Sequence, residues 1–128
     1  MTPSARSLRI AAALMLALAT IIGALGAHAL KTRLAADRYE VLQTAVHYQF
    51  FHALGLLALG VAAERDDRAL LRRAGVLLLL GMLLFSGSLY LLLAGAPRWL
   101  GVVTPLGGVS LIAGWLLAAL AFARQRSS

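Results

Sequence analysis

IAAALMLALATIIGALGAHAL, residues Ile10 to Leu30, runs for 21 positions without a charged side chain. At a helical rise of about 1.5 Å per residue it reaches roughly 31 Å, enough to cross a hydrocarbon layer of about 30 Å. Three more charge-free runs follow, at Val41–Ala63, Ala74–Ala96 and Trp99–Ala123. The expected fold is therefore all-α, a polytopic membrane protein of four transmembrane helices joined by short loops. Residues 1–128 form one domain with spans near 10–30, 41–63, 74–96 and 99–123.

Composition supports that solvent. Of the 128 residues 61% are hydrophobic, above the roughly 45–50% of globular chains, so lipid must take up the excess. The net charge of +7 does not point to nucleic acid, because the twelve Lys and Arg sit in clusters between and beyond the apolar runs. Such clusters set topology. Four spans put both termini on one side, with Arg6, Arg9, Arg65, Arg68, Arg72, Arg73, Arg124 and Arg126 against Lys31, Arg33, Arg38 and Arg98. Eight against four places both termini in the cytoplasm. With no cysteine, thiol chemistry and disulfides are excluded.

The second helix starts near Ala35 to Tyr39 with a wet first turn, Asp66 or Asp67 is a natural N-cap for the third, and Gly95-Ala96-Pro97-Arg98 reads as a tight turn. Pro105 lies in the first two turns of the fourth, where its missing N–H is tolerated, or kinks it. Trp99 reads as an interface anchor. Two stripes of small residues, Ala19-Gly23-Ala27 and Gly107-Ser110-Gly114-Ala118, suit close helix contact in lipid.

Read for depth, the uncharged polar residues converge. His28 ends the first span. His47, Tyr48, Gln49 and His52 open the second, Ser86, Ser88 and Tyr90 close the third, and Thr104 opens the fourth. All nine fall in the outer leaflet. Positions four apart share a helix face, so Tyr48 and His52 are expected to point inward toward Ser86, Tyr90 and Thr104, a candidate polar pocket. His28, His47, Gln49 and Ser88 are expected at its periphery. The cluster has a structural reading, side chains that bridge helices at about 0.6 kcal/mol per hydrogen bond. It also has a functional one, a pocket open to the outer face with His52 able to change charge near neutral pH.

Other chemistry is not encoded. No Asp, Glu, Lys or Arg lies within a span, which argues against a pump built on a membrane carboxylate. His47 and His52 are five apart and about 140° apart around the helix, so they do not readily share a metal. No phosphate loop or nucleophile elbow occurs, and neither an enzyme nor a cofactor is expected.

Four blocks carry a resemblance: Gly23-Ala24-Leu25-Gly26-Ala27-His28-Ala29-Leu30-Lys31, Thr44-Ala45-Val46-His47-Tyr48-Gln49 with His52-Ala53-Leu54, Phe85-Ser86-Gly87-Ser88-Leu89-Tyr90, and Thr104-Pro105-Leu106-Gly107-Gly108. In order and spacing the chain resembles the domain-of-unknown-function 423 family, also called uncharacterised protein family 0382. These are small bacterial inner-membrane proteins that include relatives of eukaryotic transmembrane protein 256. The resemblance implies four helices, a first span retained rather than cleaved after its A-x-A pattern, and residence in the plasma membrane, but no activity. The expected role is a non-enzymatic accessory of a larger membrane complex, or of a homo-oligomer, or else a lipid-associated module. The alternative is a small-solute transporter or channel component using the outer-leaflet pocket.

Overall fold

The computed structural model describes residues 3–66 and 68–124. Helix α1 (Ala5–Leu25) continues into a π-helical turn (Gly26–Leu30), followed by α2 (Ala36–Arg65), α3 (Ala69–Leu93), a 3₁₀ turn (Arg98–Val102) and α4 (Val103–Ala123). No strand occurs among the described residues. Each of the four segments is long and apolar enough to cross a membrane. The helices alternate in direction: α2 packs against α1 and α3, and α3 against α2 and α4, so α1 and α4 are the outer members.

The helices extend beyond the charge-free runs because their ends can lie in water. α2 begins five residues before Val41, with Asp37 in its first turn where a negative charge complements the helix dipole. At its far end Asp66 departs from the expectation. It is the C-cap of α2 and pairs with Arg68 at 2.7 Å, while α3 starts after Arg68 with no side-chain cap. The connection is too short for Asp66 to serve the next helix, and Asp67 lies outside the described residues. The turn after α3 is set by Gly95 at φ +102°. That left-handed position lets the Ala96 N–H donate to Leu91 O at 2.9 Å and the Gly95 N–H to Leu92 O at 3.2 Å, a Schellman closure. Pro105 is the third residue of α4, where its missing N–H breaks no helical bond.

In lipid, association of apolar helices depends on how closely their backbones approach. Gly107, Gly114 and Ala118 of the second small-residue stripe are buried, and Ser110 donates from Oγ to Leu77 O at 2.8 Å. A Cβ at Gly107 would collide with the backbone of Phe85, and one at Gly114 would lie 3.2 Å from Ala74 O. On α2 the buried face is Leu42, Ala45, Val46, Gln49, Ala53, Leu56, Leu59, Gly60 and Ala63. The first stripe holds only in part: Ala19 is buried and Gly23 faces Val46, but Ala27 is exposed and Gly26 packs on Leu42 instead. There the helix widens, with the Lys31 N–H donating to Gly26 O at 2.9 Å, five residues back.

Two arginines close the ends of neighbouring helices. Arg38 at the start of α2 donates from Nη2 to Leu93 O of α3 at 2.8 Å, and Arg68 before α3 donates from Nη1 to Ala121 O of α4 at 3.1 Å. Both satisfy carbonyls that a helix C-terminus leaves without intrahelical partners.

Candidate functional site

Gln49 is the centre of the polar set. It is 2% exposed, on the face of α2 that meets both neighbours. Its Nε2 donates to Met15 O of α1 at 2.8 Å, and its Oε1 accepts from the Tyr90 hydroxyl of α3 at 2.7 Å. A carbonyl only accepts, so the amide must face Met15 with its nitrogen, and Tyr90 is left as the donor. One side chain thus joins three helices.

Ser86, 2% exposed, donates from Oγ to Ala45 O at 2.7 Å and ties α3 to α2 one turn away. Ser88 faces the other way. Its Oγ meets the Thr104 Oγ1 of α4 and donates to Phe85 O at 3.0 Å, so its hydroxyl is shared between α4 and the backbone of its own helix. Ser86 and Ser88, two residues apart on one helix, therefore serve opposite interfaces.

Tyr48 and His52 do not point into this network. Tyr48 is 40% exposed and stacks on Phe85 with ring centroids 4.5 Å apart; His52 lies beside it at 5.6 Å and 6.2 Å from the Trp115 ring. His52 Nδ1 lies 2.7 Å from Tyr48 O, a bond within its own helix. Aliphatic residues, alanines among them, and Gln49 occupy the inner face of α2, and the aromatics Tyr48 and His52 lie on its flank, where they form a strip over α3 and α4. A Cβ at Gly55 would collide with the Trp115 ring, so that glycine seats the strip. His47 is exposed with its ring centroid 6.2 Å from that of Phe51, and His28 is exposed on the π-helical turn. The expected inward pair and periphery are thus corrected: Gln49 and Ser88 are buried, whereas Tyr48 and His52 lie outside them.

The space enclosed is small. A cleft of about 70 Å³ touches Gln49, Ser86 and Tyr90 together with Met15, Leu18 and Met82. Ligand pockets run to roughly 300–1,000 Å³, so this one suits a few waters. Beside the π-helical turn lies a wider cleft of about 350 Å³, lined by Leu25, Leu30, Leu34, Leu42, Leu93 and Tyr90. Its wall is hydrocarbon, and the Tyr90 hydroxyl is already committed to Gln49. No group of three metal-ligating side chains gathers among the described residues.

Gln49 could have been placed from its neighbours. It stands four residues from both Ala45 and Ala53, in a small-residue row that continues along the buried face to Gly60 and Ala63. Polarity drew attention to Tyr48 and His52, but side-chain size marks the contact face. Arg38 and Arg68 carried no such mark, since their partners are backbone carbonyls of distant helices.

Residues 22–108, which hold most of this polar set, match the sequence profile of DUF423, described as a protein of unknown function. A UPF0382 membrane protein of Staphylococcus haemolyticus is 45% identical over 95 residues, 74% of this chain and 77% of the relative. One of Staphylococcus saprophyticus is 43% identical over 95 residues, covering 74% and 78%. The UPF0382 inner membrane protein YgdD of Escherichia coli K12 is 45% identical over 96 residues, covering 75% and 73%. No solved structure matches. With four helices able to span a membrane and a family match over more than half its length, the chain belongs to the DUF423 (UPF0382) family and is a multi-pass inner-membrane protein.

Proposed function

We propose that the chain is a non-catalytic membrane module in which the buried polar groups fasten helices together and the exposed apolar faces meet lipid or neighbouring membrane chains. The observation that carries this reading is Gln49, whose amide is bonded at both ends to other helices and borders a cleft of only about 70 Å³. Ser86 is bonded to a backbone carbonyl in the same way. The outer helices supply the external surface: Ile10, Leu14, Leu18, Ile21 and Leu25 on α1, and Leu106, Val109, Ile112 and Leu116 on α4, are all exposed. Such faces suit acyl chains, a second copy or a larger complex equally. In this reading the basic end lies in the cytoplasm, with seven described cations from Arg6 to Arg124 against four at the opposite end.

Reconstitution tests it against transport. Vesicles holding the chain are expected to release entrapped ions and small neutral solutes no faster than empty vesicles. Saturable flux that Tyr90→Phe abolishes, in a protein that unfolds like the wild type, would replace this reading with a transport path through the small cleft.

A further inference from the structure

The end of the bundle where α1 begins and α2 finishes holds an open cleft of about 610 Å³, bordered by Ser4, Arg6, Arg9, Glu64 and Arg72. Arg6 and Arg9 line it against Glu64, with Arg72, which already has a partner, at its border, so among the described residues its field favours an anion. Arg9 is partly buried. Its Nη1 pairs with Glu64 Oε2 at 2.7 Å, which occupies one of its five N–H donors. Its Nε is buried and meets no acceptor, the single buried side-chain nitrogen or oxygen so placed among the described residues. That nitrogen is shielded from the cleft, so it is the exposed part of the guanidinium and its charge that an anion there would meet.

The fold places this guanidinium deliberately close to α2. A Cβ at Gly60 would lie 2.6 Å from Arg9 Cγ and 3.5 Å from Ala5 O, so the glycine provides the channel in which the Arg9 stem lies. The first turn of α1 contains no acidic residue. Ser4 and Ala5 bring that turn to the cleft wall, and its backbone dipole adds to the positive field without being the site itself. The charge-free run begins at Ile10, one residue after Arg9. The cleft therefore sits where hydrocarbon gives way to headgroups.

We propose that this cleft binds a phosphate-bearing anion, presented at that depth as the headgroup of an anionic phospholipid. Guanidinium groups suit a phosphodiester because they donate in pairs to its two unbridged oxygens. Zwitterionic headgroups offer the same phosphate beside a cation that Arg6 and Arg9 repel, so net charge gives the selectivity. The inference does not depend on the role given to Gln49, which lies in the other half of the bundle.

Native mass spectrometry of the full chain in neutral detergent tests it, with phosphatidylglycerol, phosphatidylcholine and inorganic phosphate offered separately. Phosphatidylglycerol is expected to be retained at least tenfold more tightly than phosphatidylcholine. Arg6→Gln, at an exposed position that leaves the fold intact, is expected to weaken retention roughly fivefold, the effect of one cation near an anionic surface. Glu64→Gln removes the competing carboxylate and is expected to strengthen it. Retention of inorganic phosphate as well shows that the phosphate alone is recognised, and retention of the lipid only shows that the headgroup and its chains act together; both support the site. Equal retention of the two lipids, or retention of phosphatidylglycerol unchanged in both Arg6→Gln and Glu64→Gln, overturns it.

Discussion

Gly107 and Gly108 are adjacent residues of one helix, and Gly→Ala at each should have opposite results. A Cβ at Gly107 would fall 2.8 Å from Phe85 Cα, 2.9 Å from the Leu84 carbonyl carbon and closer still to Phe85 N, whereas one at Gly108 meets nothing within 4 Å. Every obstacle at Gly107 is backbone, so no side-chain rotation relieves it, and α3 and α4 must part. Ordinary contact begins near 3.4 Å, which sets the required separation at the better part of an ångström. Forcing such a gap through a packed interface costs about 1–3 kcal/mol. Both substitutions share the benefit of replacing a helical glycine, about 0.5–1 kcal/mol. The difference between the two variants therefore isolates the clash. Unfolding in mixed micelles by titrated dodecyl sulfate, followed by helical circular dichroism, reads that difference directly. Gly108→Ala should unfold at or above the wild-type midpoint, and Gly107→Ala well below it. Equal midpoints for the two variants would refute the claim that α3 and α4 meet backbone to backbone.

Gly55→Ala should displace the Trp115 ring, because the atoms it meets are the far end of a side chain; in a Trp99→Phe background the fluorescence maximum should shift while the unfolding midpoint moves little. Arg38→Gln removes the donor to Leu93 O and should destabilise the chain by about 0.5–1.5 kcal/mol, the net worth of one such bond, read in the same titration.

Architecture was legible because the hydrocarbon layer imposes a length that four charge-free runs meet. The gathering of polar residues toward one end was also legible, since it follows from alternating helix direction alone. Which face of each helix turns inward was not. In a soluble bundle a polar outer face marks the inside by contrast, but α2 and α4 meet lipid and neighbours with equally apolar surfaces, and only small residues such as Ala45, Ala53, Gly107 and Gly114 distinguish them. Tyr48 and His52 consequently read as inward when Gln49 is the buried member. Asp66 failed as an N-cap for a different reason: cap preference carries no information on which of two abutting helix ends an aspartate serves. The π-helical turn at Gly26–Leu30 has no counterpart in residue pattern, since it depends on how Gly26 seats against Leu42.

A double-mutant cycle with Gln49→Leu and Tyr90→Phe measures most directly whether the buried amide of Gln49 holds the helices together. Each single change should destabilise the bundle, and the pair should do so by less than the sum. The expected coupling energy is about 0.6–1.7 kcal/mol, the range found for hydrogen bonds between membrane helices. Strict additivity, with Tyr90→Phe as stable as wild type, would contradict the bond and leave the polar cluster without its structural role.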